Sequence, residues 1–289
     1  MKQFILKSEP GKDNVVQLDG DDYRYLVRVR RFTAGDFFNA LLPNGAETQV
    51  QILSIDRGLL TGKCTATLPL AGEGSPQMPE KTKQLPPIVL FQALPKGEKM
   101  DLIVRQAAEG GITEVVPFVS EFSVVKIKSS AGAEGQKFSR WERIIKEARQ
   151  QSGSAIATSI RRPLTTDELF EYWNKLGKDC LTAGGGRALG VIFHHQDLNF
   201  TCSCQGLAQA SLHSYLDIVP SIVALAIGPE GGFSSTEVSR FLESGFQPLT
   251  VGDTILRTET AALYAAAAVR VLLLERNSWE LKQPKTGSV

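Results

Sequence analysis

The sequence predicts a small β-domain followed by a larger α/β domain built on a mainly parallel sheet. Three observations carry this. Short apolar runs separated by turn signals fill residues 36–70, a Pro- and Gly-rich stretch interrupts the chain at 71–87, and beyond it apolar runs of strand length alternate with amphipathic stretches of helix length. A length of 289 residues also fits two units better than one core.

Taken in order, Asp19 to Asp22 offer N-cap carboxylates, and Tyr23, Leu26, Val27 and Arg30 follow at helical spacing, which predicts a short helix. That helix carries Arg24, Arg28, Arg30 and Arg31, either a solvated basic face or a phosphate-contacting patch. The runs FFNALLP, TQVQILSI and LLTGKCTATL, divided at Asn44-Gly45 and Arg57-Gly58, predict strands of a small barrel or sandwich. Four Pro and two Gly with almost no apolar periodicity mark 71–87 as connector. This divides the chain into 1–72, a linker at 73–87, and 88–289. The second unit predicts strands at IVLFQAL, VVPFV, LGVIFH, IVALAIG and PLTV, and helices at 98–109, 136–151, 166–176, 234–244 and 258–276.

Hydrophobic content of 42% against 22% charged residues excludes a disordered chain, and 32 basic against 31 acidic residues exclude bulk attraction to polyanions. Nucleic-acid binding would therefore need a local patch. Cys64, Cys180, Cys202 and Cys204 are too few and too irregular for a disulfide scaffold and suit a reducing compartment. The N-terminal residues contain no apolar stretch of signal-peptide length, so the expectation is a cytoplasmic protein. The tract from Ala261 to Leu274 is too short to span a bilayer and is split by Arg270; it predicts a buried helix, with no membrane role.

Two stretches carry chemistry. In IVALAIGPEGGFSSTE, an apolar strand ends in Gly228-Pro229-Glu230-Gly231-Gly232, and a helix opens with a capping box from Ser234 to Glu237. Glycines at the carboxyl end of a strand permit positive φ and close approach of backbone to a ligand, although a plain structural turn has the same sequence. In VGDTILRTETAA, Arg257 stands beside Thr258, Glu259 and Thr260 at the mouth of an alanine-rich helix whose first amides are free; an N-capping cluster reads the same way. Neither G-x-x-x-x-G-K-[ST] nor G-x-G-x-x-G occurs, which disfavours an ATP- or NAD-dependent enzyme. Gly184-Gly185-Gly186-Arg187 precedes its strand and is expected to be a flexible loop. His194-His195 with Cys202 and Cys204 lacks the usual zinc spacing, so no metal is expected. Phe91, Trp141 and Phe246 fall in apolar runs or at core-facing spacing and predict packing.

GPEGG followed by LRTETAA, after LPKGEKMD at 94–101, YLVRVRRF with Gly35-Asp36, and RWERIIKEARQQSG at 140–153, resembles the ribosomal RNA small subunit methyltransferase E family over nearly the whole chain. The resemblance implies a PUA-like β-barrel for RNA followed by a knotted α/β domain of the SPOUT class, with a trefoil knot, assembled as a homodimer. The implied reaction is S-adenosylmethionine-dependent methylation of N3 of a uridine in the 16S rRNA of the small ribosomal subunit. Mapped by motif, His194, Gly228, Pro229, Glu230, Gly231, Gly232, Val251, Gly252, Ile255, Leu256 and Thr258 would line the cofactor pocket. Arg257 would stabilise the uracil anion as N3 loses its proton, with Glu259 orienting Arg257 or taking that proton. Arg24, Arg28, Arg30, Arg31, Lys96 and Arg105 would face RNA. The chain departs from the family pattern where an Arg is usual, at Phe122, Ser154 and Thr254, and reads Glu109-Gly110-Gly111 where E-L-G is usual. Because phosphate contacts supply much of RNA affinity, these losses leave open an RNA-binding or assembly factor of the same fold with an altered or lost methylation target.

Overall fold

A computed structural model describes residues 4–43, 46–66, 85–124, 131–182, 185–193, 210–250 and 254–275, and positions 131–134 as helix backbone. The Asn44-Gly45 turn, nearly all of the linker, the strand end at His194 and the Cys202/Cys204 pair lie outside the described residues, as do Val251 and Gly252.

The N-terminal unit holds β1 (Phe4–Ile5), β2 (Val15–Leu18), α1 (Gly20–Tyr23), β3 (Phe37–Leu41), β4 (Glu47–Asp56) and β5 (Leu59–Ala66), with the sheet in the order β1-β3-β4-β5-β2. The three anticipated strands are present, and Arg57 and Gly58, at φ 41 and 91, make the hairpin turn between β4 and β5. β1 and β2 were not anticipated: two and four residues are too short to display a period. The basic helix is one α-turn that widens into a π-helical turn, Arg24–Val29, with the Arg30 N–H donating to the Tyr25 carbonyl. Asp19 occupies the cap position without a side-chain bond. Asp22 is buried and accepts from Lys7 Nζ at 2.8 Å and Lys146 Nζ at 3.1 Å, so it fastens this unit to the next instead of capping a helix.

The second unit contains β6 (Ile88–Ala93), α2 (Lys99–Glu109), β7 (Glu114–Phe118), α3 (Ala131–Ser152), β8 (Ser159–Ile160), α4 (Thr166–Thr182), β9 (Ala188–Phe193), α5 (Leu212–Tyr215), β10 (Ile222–Ile227), α6 (Ser235–Glu243), β11 (Phe246–Leu249) and α7 (Thr258–Glu275). Its sheet is parallel throughout, in the order β11-β9-β10-β6-β7-β8. β6 and β10, buried at every position, form its centre and put their carboxyl ends side by side. One apolar cluster beneath α2, α3 and α7 contains Trp141, and the other, beneath α4 and α6, contains Phe91 and Phe246. α4 runs past the expected end because Gly177 costs a helix only about 1 kcal/mol, which the packing of Leu176 and Cys180 against the core offsets.

Two expectations are corrected. The described part of the triple-glycine segment is a packed turn: a Cβ on Gly186 would stand 1.8 Å from Ser221 Oγ, and Arg187 donates to the carbonyls of Tyr215 and Ile218. The α7 tract is only half buried. Ala261, Ala262, Ala265, Ala266, Val269 and Leu273 face the core, while Leu263, Tyr264, Val271 and Leu274 are exposed. Among the described residues no helix is long and apolar enough to cross a membrane.

Candidate active site

The central strands deliver the Gly228–Gly232 turn and the start of α7 to the same end of the sheet. The Thr258 hydroxyl donates to the Gly228 carbonyl at 2.7 Å and accepts from Gln92 Nε2 at 2.9 Å, so a buried polar bridge joins the ends of β6 and β10 to α7. Gln92 itself is fully buried, and among the described residues its Oε1 has no hydrogen-bond partner. The turn closes through the Gly232 N–H to the Pro229 carbonyl, with Gly232 at φ 73, a conformation glycine adopts without penalty. A Cβ on Gly228 would stand 3.2 Å from the Gly232 backbone, whereas one on Gly232 would meet nothing within 4 Å. The turn is thus folded tightly on one side and open on the other.

The capping box that follows is present as the sequence predicts: Glu237 N–H donates to Ser234 Oγ and Ser234 N–H to the Glu237 carboxylate. The buried Glu237 also accepts from Ser120 Oγ and the Glu121 N–H, which pins the 120–123 loop against the glycine turn. Phe122 stands on that loop, half exposed; a Cβ on Gly231 would approach its Cβ to 3.1 Å. Phe122 thus sets an apolar side chain beside the glycine turn.

Above the buried bridge lies a charged layer. Lys99 Nζ is 2.7 Å from Glu230 Oε1 and 3.7 Å from Glu259 Oε2, and Glu230 also accepts from the Lys96 N–H. The Lys99–Glu230 hydrogen bond raises the Lys99 pKa above its ordinary value, with the Glu259 charge adding to it. Burial opposes ionisation of Glu230, but the Lys99 bond, the backbone donors and the ammonium charge outweigh it and hold its carboxyl below the usual range. Arg257 opens α7 through its carbonyl, which accepts from the Thr260 and Ala261 N–H groups. Its side chain is exposed, and among the described residues no hydrogen bond or ion pair engages the guanidinium.

The sequence-predicted residues Gly228 to Gly232, Leu256, Arg257, Thr258 and Glu259 thus gather at one end of the sheet. Ile255 is 73% exposed there, while Leu256 packs on the core. Glu230 spends its carboxylate on the 96–99 turn. Arg24, Arg28, Arg30 and Arg31 are all exposed; Arg24 pairs with Asp21, and Arg30 lies over the Phe32 ring. Lys96 and Arg105 are exposed on the 94–101 turn and α2. Sequence reading missed Gln92 and Lys99. The lysine lies in the same PKGEK motif as Lys96, but only the fold brings it to residues more than a hundred positions away.

A groove of about 300 Å³ opens between α2 and α7, lined by Ile103, Ala107, Ala266 and Val271 among others; none of the predicted site residues lines it.

The chain is similar to known RNA methyltransferases. Residues 82–270 match a family model described as an RNA methyltransferase domain, and residues 18–63 one described as an RNA methyltransferase PUA domain. A protein of Synechocystis sp. named ribosomal RNA small subunit methyltransferase E is 29% identical over 94% of this chain and 78% of its own. Its namesake in Aquifex aeolicus is 31% identical over 64% of this chain and 69% of its own. The crystal structure of the Neisseria gonorrhoeae ribosomal RNA small subunit methyltransferase E bound to S-adenosylmethionine superposes with a TM-score of 0.68, covering 94% of this chain and 98% of that one at 22% identity.

Proposed function

Because the chain belongs to the RNA methyltransferase family that includes the ribosomal RNA small subunit methyltransferases E, we propose that it methylates N3 of a uridine in 16S rRNA, using S-adenosylmethionine, in the cytoplasm. The observation that carries the reading is the convergence, at the carboxyl ends of the two central strands, of an open glycine turn with a buried Gln92 and an Arg257 that are, among the described residues, partly unsatisfied and unpaired. The residues fit the cofactor. The open face of Gly232 leaves room for a ligand against backbone, and Gln92 Oε1 is a buried acceptor without a donor among the described residues.

Gly228 to Gly232, Ile255 and Leu256 would hold S-adenosylmethionine, with His194, Val251 and Gly252 contributing from positions outside the described residues. When bound, this group supplies a methyl carbon made electrophilic by its sulfonium. The protein's part is positioning and charge. Thr258 ties the turn to α7 and so fixes where Arg257 stands relative to the cofactor seat. Arg257 would place a cation where negative charge develops on the uracil oxygens as N3 is deprotonated, and Glu259, two residues on in sequence, would orient Arg257 or take that proton. Arg24, Arg28, Arg30, Arg31, Lys96 and Arg105 are the exposed cations that would contact phosphates.

This reading takes the N-terminal sheet as a PUA-like barrel, the linker at 73–87 as the domain boundary, and the β11-β9-β10-β6 order as that of a SPOUT domain with a trefoil knot. A homodimer would cover the exposed apolar face of α7, from Leu263 to Leu274. The test is Arg257→Ala. It should bind S-adenosylmethionine like the parent and lose roughly 10² to 10³ in turnover, the scale for one charge-stabilising donor. Undiminished turnover would remove Arg257 from the mechanism.

A further inference from the structure

We propose that Lys99 is a positioning residue for methyl transfer: its ammonium, held between Glu230 of the glycine turn and Glu259 of α7, locks the cofactor seat and the Arg257 segment into one geometry. The inference rests on the reading of Gly228–Gly232 as that seat. Three segments distant in sequence meet at this one nitrogen, the start of α2, the glycine turn and the first turn of α7.

The electrostatics of the position argue for a purpose beyond solvation. Lys99 is the first residue of α2, where the helix field disfavours a cation, and an acid there would be favoured instead. Two carboxylates from other elements reverse that preference. The pair also differs in kind. Glu230 has further donors in the Lys96 N–H and keeps a partner if the lysine is lost. Glu259 Oε2 is buried, accepts no hydrogen bond, and has Lys99 as the only cation that pairs with it among the described residues. Truncating Lys99 therefore strands a buried carboxylate two residues from Arg257, in the helical turn whose Thr258 bonds to the cofactor turn. The consequence reaches both cofactor and reacting base. Lys96, in the same motif, contributes only its backbone N–H to this junction, so the two lysines have separable roles.

The experiment compares Lys99→Met, Lys99→Arg and Glu230→Gln by calorimetric titration with S-adenosylmethionine alone, and by turnover on unmodified small ribosomal subunits. Lys99→Met should weaken cofactor binding by about tenfold or more and also lower kcat at saturating cofactor, the signature of a displaced seat and a displaced Arg257 together. Lys99→Arg should restore both to within about threefold, because it keeps the bridging charge. Glu230→Gln keeps the shape of the turn and should weaken cofactor binding with less effect on kcat; it decides the matter should Lys99→Met not fold. Parent-like binding and turnover in Lys99→Met, or equal impairment in Lys99→Arg, would overturn the proposal. The parent protein separates this from the functional reading: titration of cofactor needs no RNA, so an incorrect RNA target leaves the Lys99 result intact, whereas a parent that binds no S-adenosylmethionine refutes the seat itself.

Discussion

Replacing Thr258 by Val removes one hydroxyl and little volume, and the structure gives the cost. The Thr258 side chain donates to the Gly228 carbonyl and accepts from Gln92 Nε2 in a site where Thr258 is 5% exposed and Gln92 0%. Valine leaves the Gly228 carbonyl without that donor, while Gln92 Nε2 keeps its bond to the Ala93 carbonyl. One stranded acceptor plus one weakened donor costs about 2–3 kcal/mol. In a unit of this size that lowers Tm by roughly 4–12 °C. Thermal unfolding followed by circular dichroism reads it, with Thr258→Ser as control: serine keeps the hydroxyl and should lose about 1 kcal/mol for the buried methyl. A valine variant within about 1 °C of the parent, where a drop of about 4 °C or more is expected, would show that the bridge does not hold α7 to the glycine turn.

Two further outcomes follow from buried polar groups. Arg149 is 7% exposed, and among the described residues its Nε and Nη2 have no hydrogen-bond partner; burial pushes its pKa below the ordinary value. Arg149→Met should stabilise the fold by about 1–2 kcal/mol in denaturant titration, and a loss of stability would show that the guanidinium has a compensating partner. The Tyr172 phenol is pushed up to about 12, first by burial and then by its hydrogen bond to the Glu114 carboxylate. A raised folded-state pKa means that its stabilising contribution is complete below pH 10 and fades as pH rises toward 12. Phenolate absorbance should show one of the five tyrosines ionising last, and Tyr172→Phe should delete that step; its persistence would contradict the assignment.

The fold was legible wherever apolar periodicity was long enough. The five strands and five helices foreseen in the second unit are present because runs such as Ile222–Ile227 are buried on both faces and leave no ambiguity of period. β1, β2 and α5 escaped notice, since elements of two to four residues carry no period and exist through tertiary pairing alone. The last turns of α4 were hidden behind Gly177, and the exposed face of α7 behind a composition that is apolar all round. Local motifs read well: the Ser234–Glu237 box closes as expected. Long-range pairings did not. Asp22 looked like a cap and is an interdomain ion-pair centre, and Lys99 was not singled out at all, because nothing local distinguishes a lysine that reaches Glu230 from one that reaches water.

The central claim is methyl transfer to a uridine N3. The direct measurement is incubation of the purified protein with methyl-labelled S-adenosylmethionine and unmodified small ribosomal subunits, followed by nucleoside analysis of the RNA. Label recovered as 3-methyluridine is the predicted result. Absence of label in protein that demonstrably binds the cofactor would contradict it and favour an RNA-binding assembly factor of the same fold.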